Sequence, residues 1–415
     1  MEWNRGIGTM NKQRRFFGFG KNVFFTGLVS FFMDVSSEMI YPLVPLFLAN
    51  VLGVNKSLIG LIEGIAESTA SLLKVFSGWF SDRIGQRKHV MAVGYAISAL
   101  SRPIIATAAL WQQILASRFI DRIGKGIRTA PRDAIIAESA HHTHLARAFN
   151  FHRSMDTMGA VVGPGLALLL LGLFRNDYRT VFWLSMVPAV IAVLVILIFI
   201  EEKRKVLPAP IQRPKLTLSH FDWKVKFFIV IATIFALGNS SDVFLILRAQ
   251  QAGTPAVTIP AVYLLFNLVY SLSAIPAGIA ADRFGKKRII LTGFVLFAAL
   301  YYGFALAKSP AAIWLLFALY GLFMGLTEGI QKSFLATIIP QDFKATAFGV
   351  YATAIGIATL PASLVGGWLW DHISPAATFY FGAATASLSA LLFVVLIVAM
   401  KNSSTKTDVV IPTRT

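Results

Sequence analysis

The chain has 415 residues, of which 56% are hydrophobic and 14% charged, with 34 phenylalanines, no cysteine and a formal net charge of +18; its mean hydropathy is +0.67. Soluble domains are roughly 45–50% apolar and about 25% charged, so this composition excludes an ordinary soluble domain and points to a membrane protein. The lack of cysteine excludes disulfides and thiolate metal sites, and the positive charge is the excess expected of cytoplasmic loops rather than the mark of a nucleic-acid partner.

A helix needs about 20 mainly apolar residues to cross the hydrocarbon core. Residues 1–21 form a basic cytoplasmic tail, and the apolar run after them is too long for a signal-peptide core. Spans are predicted in chain order near 22–50, 57–80, 90–110, 111–139, 148–173 and 181–200, then 227–250, 258–281, 289–307, 311–338, 346–370 and 376–399. Between the two sets, residues 201–226 are polar and carry Pro208, Pro210 and Pro214, which reads as a cytoplasmic linker; 400–415 is a second cytoplasmic tail. The predicted fold is therefore an all-α membrane protein of twelve transmembrane helices, in an N-terminal six-helix bundle (22–200) and a C-terminal one (227–399).

Charged residues inside spans are costly, about 2.5–3.5 kcal/mol each at a helix centre, and persist where they pair or line a wet cavity. The first span holds Asp34 and Glu38, one turn apart; the second holds Glu63 and Glu67, toward its outer end; the third holds Arg102. The fourth contains "RFIDRIGKGIRTAPRD", 118–133. Here Arg118, Arg122, Lys125 and Arg132 fall along one helical face, with Asp121 and Arg128 flanking it. This stripe reads either as a structural ion-pair network or as a substrate- or proton-contacting face; a solvated cytoplasmic end is the third reading. The fifth span carries Arg153 and Asp156, spaced i, i+3 for a pair. The C-terminal half adds Asp242 and Arg248 on the seventh span and Glu328 and Lys332 on the tenth. Depth places Asp34, Glu38, Arg118, Asp121, Arg122, Asp242 and Glu328 near mid-membrane as candidates for substrate binding or proton coupling, with Glu63, Glu67, Lys125 and Arg102 secondary. Arg128, Arg132, Arg153 and Asp156 fall nearer the cytoplasm, as gate residues. His141, His142 and His144 read as a solvated loop, so no metal site and no cofactor is expected.

Loop charge sets orientation. With the N-terminus inside, the inward loops carry Arg83, Arg87, Lys88, Lys203, Arg204, Lys205, Arg283, Lys286, Lys287 and Arg288, while the outward loops carry little beyond Lys56, Arg175, Arg179 and Lys308. Both termini should be cytoplasmic, and the alternation holds only if 111–139 crosses the membrane.

An internal repeat supports two like halves. "GWFSDRIGQRKH" at 78–89 aligns with "AGIAADRFGKKR" at 277–288, pairing Gly78 with Gly278, Asp82 with Asp282, Arg83 with Arg283 and Gly85 with Gly285. Two halves of equal orientation form a parallel pseudo-repeat. These residues resemble the major facilitator superfamily over nearly the whole chain. Its motif after the second span is matched by Gly78, Asp82, Arg83, Gly85, Arg87 and Lys88, and again at 278–288. A fourth-span motif is matched by Arg118, Gly124 and Gly126, with Asp121 and Arg122 in place of the usual Gln and Gly. A fifth-span motif that the family associates with antiporters is matched by Gly159, Gly163 and Pro164, without the glycine pair that usually follows. The chain also resembles a largely uncharacterised prokaryotic subgroup carrying "GKGIRTAPRD".

The resemblance implies a secondary active transporter, not an enzyme, working by alternating access in the inner membrane on a small organic solute. Mid-span carboxylates and the absence of a P-loop pattern suggest proton coupling, with Asp34 or Glu38 as proton carrier, and the partial antiporter motif leans toward efflux. A proton-symporting importer of a carboxylate-bearing metabolite or siderophore is the alternative; a non-transporting receptor or scaffold is a further one. Expected partners are the solute, protons and membrane lipid, with no nucleic acid. One chain has enough helices to form the pathway as a monomer. The Asp82 and Asp282 loops, with the gate residues, are expected to hold the cytoplasmic face shut.

Overall fold

The computed structural model describes residues 15–16, 19–84, 86–140, 145–202, 221–339 and 344–407; for 15–16, 74–84, 145–146, 344–346 and 402–407 the backbone alone is described. Apart from a two-residue ladder pairing β1 (Arg15–Phe16) with β2 (Phe19–Gly20), the described chain is helical. In the N-terminal half the helices are α1 (Lys21–Ile40), α2 (Val44–Asn50), α3 (Lys56–Ile84), α4 (Arg87–Ala106), α5 (Trp111–Ser139), α6 (Leu145–Leu173), α7 (Tyr178–Leu184) and α8 (Met186–Phe199). The C-terminal half has α9 (Trp223–Gly238), α10 (Val243–Gln251), α11 (Ile259–Phe284), α12 (Lys286–Leu306), α13 (Pro310–Ile338), α14 (Lys344–His372) and α15 (Pro375–Thr407).

Ten helical stretches among the described residues are long and apolar enough to cross a membrane. α3 and α5 are not among the ten, yet each has 29 residues, about 43 Å at 1.5 Å per residue, longer than a hydrocarbon core of about 30 Å. The predicted fourth span, 111–139, coincides with α5.

Three predicted spans are broken. The first, 22–50, turns at Tyr41–Leu43, where Pro42 interrupts the ladder and Pro45 opens α2, an end-of-helix place that suits proline. The sixth, 181–200, is divided at Ser185 between α7 and α8. The seventh, 227–250, unwinds over 239–242, after Gly238 and through Asn239, Ser240, Ser241 and Asp242. These short polar side chains compete with the backbone for hydrogen bonds and so favour breaks.

Apolar side chains face both ways. Phe47, Phe182, Phe228, Phe294, Phe304 and Phe317 are fully buried, while Leu100, Leu169, Ile198, Ile275 and Leu391 face outward. Outward leucine and isoleucine on so many helices suit a lipid surround. The halves meet along two helix pairs, α3 against α14 and α6 against α11.

Candidate functional site

The charged face of α5 turns inward against α1, α3 and α4. Arg118 Nε donates to Glu63 Oε1 at 2.9 Å, and its Nη2 donates to Glu63 Oε2. This fork-on-fork pairing fixes both groups. Glu63 is only 1% exposed, so it is a buried partner of Arg118. The same guanidinium lies 5.5 Å from the Tyr41 ring centroid. One turn on, Arg122 Nη2 is 2.7 Å from Glu67 Oε1 and its Nη1 is 3.7 Å from Asp121 Oδ2. Asp121 also takes Arg102 Nη2 at 3.3 Å. Arg102 donates further to Ser36 Oγ at 3.0 Å, Ser37 Oγ at 2.9 Å and Ser101 Oγ at 3.3 Å. Three arginines are thus matched to three acids inside one half, as a buried charge requires. Arg128 stacks over Tyr95 at 4.5 Å, and Arg132 Nε donates to Asp133 Oδ1 at 2.9 Å.

Asp34 and Glu38 are placed differently. They lie where α1 meets α6, and the fifth-span glycines bring the two helices together there. A Cβ on Gly159 would stand 2.8 Å from Asp34 Cβ and 2.7 Å from Phe31 O; one on Gly163 would stand 2.8 Å from Glu38 Cβ and 2.9 Å from Val35 O. Any side chain at either glycine would push the α1 backbone away. Neither acid forms a hydrogen bond or ion pair among the described residues, and Glu38 Oε2 is buried without a partner. Lys125, Arg122 and Arg118 lie within electrostatic reach of Glu38, and Lys125, Arg128, Arg132 and Asp156 within reach of Asp34.

The C-terminal half supplies the facing wall. Asp242, at the break before α10, accepts from Tyr320 Oη at 2.8 Å. Tyr263 of α11 stacks against Tyr41 with centroids 5.4 Å apart, and Asn267 Nδ2 donates to Ala160 O at 3.0 Å. Arg248 is a structural residue: it donates to the carbonyls of Phe304 and Ala305 in the last turn of α12 and of Ala307 just after it.

The two ends of the interface differ. Where α14 ends, Asp371 caps the start of α3, accepting from Lys56 N at 3.2 Å and from Ser57 N and Oγ at 2.6 and 2.7 Å. At the other end a cleft of about 470 Å³ opens among Arg153, Tyr270, Asp282, Lys286, Glu328 and Lys332. Inside it Arg153 Nη2 donates to Tyr270 Oη at 2.7 Å and lies 3.5 Å from Glu328 Oε2; Tyr270 Oη donates to the same oxygen, and Lys332 Nζ is 4.0 Å from Glu328 Oε1. Two expectations change here. Arg153 does not pair with Asp156 but reaches the other half, and Asp156 turns to His152. Glu328, grouped by sequence with Asp34 and Glu38, lines this cleft with Asp282 and Lys286.

Of the loop motif, Arg87 pairs with Glu138 of α5 at 2.6 Å and Lys88 Nζ donates to Leu197 O at 2.9 Å, both within their own half. Arg283 lies over Phe284, 5.5 Å from its centroid. Gly78 falls within α3; Gly85, the side chains of Asp82 and Arg83, His141, His142, His144 and linker residues 203–220 lie outside the described residues.

The sequence profile of the Major Facilitator Superfamily matches residues 26–270 and 227–410. The chain belongs to the major facilitator superfamily. It is 37% identical over 382 residues to an uncharacterized MFS-type transporter of Methanocaldococcus jannaschii, covering 90% of this chain and 94% of that one. It is 24% identical over 366 residues to a multi-drug resistance efflux pump PmrA homolog of Lactococcus lactis subsp. lactis, covering 85% and 89%. Its fold matches the crystal structure of a peptide transporter POT with a TM-score of 0.79 at 12% identity, over 94% of this chain and 96% of that one. This facilitator is therefore a multi-pass membrane transporter and not an enzyme.

Several residues of the facilitator's interface escaped the sequence reading: Tyr41, Tyr95, Tyr263, Tyr270 and Asp371; His152, which the sequence groups with His141, His142 and His144 in a solvated loop, is instead buried within α6 at 4% exposure. A signal existed for Asp371 alone. An acid at the end of its own helix is badly placed against that helix's dipole, so it calls for an external partner such as a helix N-terminus.

Proposed function

We propose that this facilitator is a proton-coupled exporter of a small organic solute, working by alternating access. The observation that carries the reading is the unpartnered pair Asp34 and Glu38 beside Lys125, in a half where Arg118, Arg102 and Arg122 have acids of their own. An unpaired carboxylate away from water is a costly charge, and taking up a proton removes that cost. The twelve-span reading adds α3 and α5 to the ten apolar stretches. The breaks at 41–43 and 239–242 fall at like places in bundles 22–200 and 227–399, which supports a parallel repeat. With 201–226 as linker and 1–21 and 400–415 as tails, both termini are cytoplasmic and the 470 Å³ cleft is an opening to the cytoplasm. Arg118, Asp121, Arg122 and Arg102 then frame the chamber with Glu63 and Glu67, Asp242 faces them, and Arg153 and Glu328 guard its mouth with Arg128, Arg132, Asp282 and Arg283. Efflux is favoured by the multidrug-pump relative and by Gly159 and Gly163 lying against the two acids.

The test uses purified protein in liposomes that trap a pH-sensitive dye. Lipophilic cations, nucleosides, peptides and carboxylates are added in turn under two opposite pH gradients. At least one compound should move against its own gradient when protons move the other way. Proton movement in the same direction would turn the reading to the symporting importer. Solute flux with no proton movement, and no response to either gradient, would overturn the coupling.

A second expectation concerns the Asp371 cap. A carboxylate accepting two backbone N–H groups at a helix start contributes about 1–2 kcal/mol. Asp371→Ala should therefore shift the equilibrium about five- to thirty-fold toward the state open at that end. Spin labels placed across each end read this as longer distances at the Asp371 end and shorter ones at the cleft. Unchanged distance distributions would mean that the cap does not hold the closed end.

A further inference from the structure

The contact between α1 and α6 holds more titratable groups than two proton carriers need. The helices run parallel, in a register set by four contacts. Gly27 meets Phe151 and Met155, Ser30 meets His152, Gly159 meets Asp34 and Gly163 meets Glu38. Descending from Glu38 toward the start of α1, nearly every turn adds a group that can hold a proton: Glu38, Asp34, Asp156, His152 and then the hydroxyls of Ser30 and Thr26. His152 Nε2 is 2.7 Å from Ser30 Oγ, which is 3.3 Å from Tyr95 Oη. His152 Nδ1 is 3.6 Å from Asp156 Oδ2, and Asp156 interacts electrostatically with Asp34. Glu38 Oε2, Asp156 Oδ1 and Thr26 Oγ1 are three of the eight buried side-chain polar atoms without a partner among the described residues. Such atoms are rare in folded proteins and call for water or a transferred proton. Glu38 and Asp156 belong to this contact and Thr26 stands one turn before Ser30 on α1, so the three make a file, not scattered exceptions.

We propose that this file is the route by which the coupled proton passes between Asp34 and the end of the molecule where α1 and α6 begin, with His152 as its relay. His152 is 4% exposed. Around it stand Ser30 of α1, Tyr95 of α4, Arg132 and Asp133 of α5, and Arg153 and Asp156 of its own helix. A proton arriving on the bare ring nitrogen makes an imidazolium. The proton on the other nitrogen leaves to the Asp156 carboxylate, which becomes a carboxylic acid while the ring returns to neutral as the opposite tautomer. Asp156 then gives its proton to the Asp34 carboxylate, directly or through one water, and is a carboxylate again. One proton has advanced, and the ring is left with its N–H on the opposite nitrogen, which a ring flip resets before the next proton. A histidine serving only to pack would have no use for a second nitrogen aimed at an acid that is itself within electrostatic reach of Asp34.

The inference rests on Asp34 and Glu38 being proton carriers, and the test separates the two ideas without a transported solute. Reconstituted full-length protein receives protons photoreleased from o-nitrobenzaldehyde, and the infrared carbonyl band of protonated carboxyl groups is followed in time. Asp34→Asn and Glu38→Gln identify the contributions of those two acids. His152→Gln keeps a hydrogen bond to Ser30 but cannot relay a proton, and should slow protonation of Asp34 about ten-fold or more. If Asp34 and Glu38 contribute no band at any pH between 5 and 9, the carrier reading fails and the relay with it. If the band is present and His152→Gln follows the pulse at the unaltered rate, the relay is overturned and the carriers stand. Mere loosening of the packing has the opposite sign, because admitted water speeds protonation. Should His152→Gln fail to fold, Asp156→Asn, nearly identical in shape, carries the same expectation and the same overturning result.

Discussion

The double variant Asp34→Asn, Glu38→Gln is expected to lose all pH-gradient-driven transport, falling to the rate of protein-free liposomes, while either single variant keeps a reduced rate. The acids lie one turn apart on α1, each against a glycine of α6, and Lys125 lies within electrostatic reach of both. With one made neutral, the other still offers a carboxylate on the same face and can bind the coupled proton. With both neutral, α1 offers no carboxylate on this face; Glu63 is committed to Arg118, Glu67 to Arg122 and Asp121 to Arg102 and Arg122, and Asp156 has no acid left on α1 to pass a proton to. The substitutions keep shape and volume, so the α1–α6 packing should survive, and thermal unfolding should show little change. Flux is measured with a trapped pH-sensitive dye, using a compound that the unsubstituted protein transports. A double variant that still concentrates that compound in response to a pH gradient would place the coupled proton elsewhere, with Asp242 the next residue to test.

Much of this architecture was legible from the residues, and what escaped has a physical pattern. The predicted limits of the fourth span, 111–139, coincide with α5, although its own composition is too polar to stand among the ten apolar stretches. Residue types on the stripe were equally readable, because helical periodicity puts Arg118, Arg122 and Lys125 on one side. The partners were not readable. Whether Arg118 meets Glu63, Asp34 or Asp242 depends on how far α3 and α5 are rotated and offset, and a one-residue slip turns a helix by about 100°. Glu63 was ranked low for its place near the start of a span, yet it is among the most buried acids. Spacing misled in a second way at Arg153 and Asp156: i, i+3 neighbours on an isolated helix pair readily, but a helix at an interface has competitors, and Tyr270 and Glu328 of the other half take Arg153. The breaks at Tyr41–Leu43 and 239–242 carried their marks, two prolines in one case and a Gly-Asn-Ser-Ser run in the other. Counting apolar length smooths over both.

The motif glycines gain a physical meaning that the sequence pattern alone does not contain. Gly159 and Gly163 let α6 press on the α1 backbone beside Asp34 and Glu38. The two acids, both partly exposed, are thereby held at a helix–helix contact. A proton bound there alters the charge inside the contact, and a change in packing alters how readily the proton is held.

Breaking the Arg118–Glu63 pair from one side should be the most destabilising single change in the N-terminal half. Glu63→Gln or Arg118→Met alone leaves a desolvated charge without its counterion, at a cost of about 3–5 kcal/mol. The double variant Glu63→Leu, Arg118→Met leaves no charge behind and should recover to within about 1–2 kcal/mol of the original, or exceed it, because the ions no longer have to be stripped of water. Unfolding titrations in mixed micelles read the three values, and the sign of the coupling between the substitutions follows from them. Single variants costing less than about 1 kcal/mol would mean that the pair is hydrated in the membrane and that the inward turn of α5 is wrong. The same double variant also distinguishes the two readings of the stripe. If it is stable and transports, the pair is scaffolding and the solute path lies beside Lys125, Glu38 and Asp242. If it is stable but silent, the Arg118 guanidinium, with Tyr41 beneath it, is part of the surface that the solute meets.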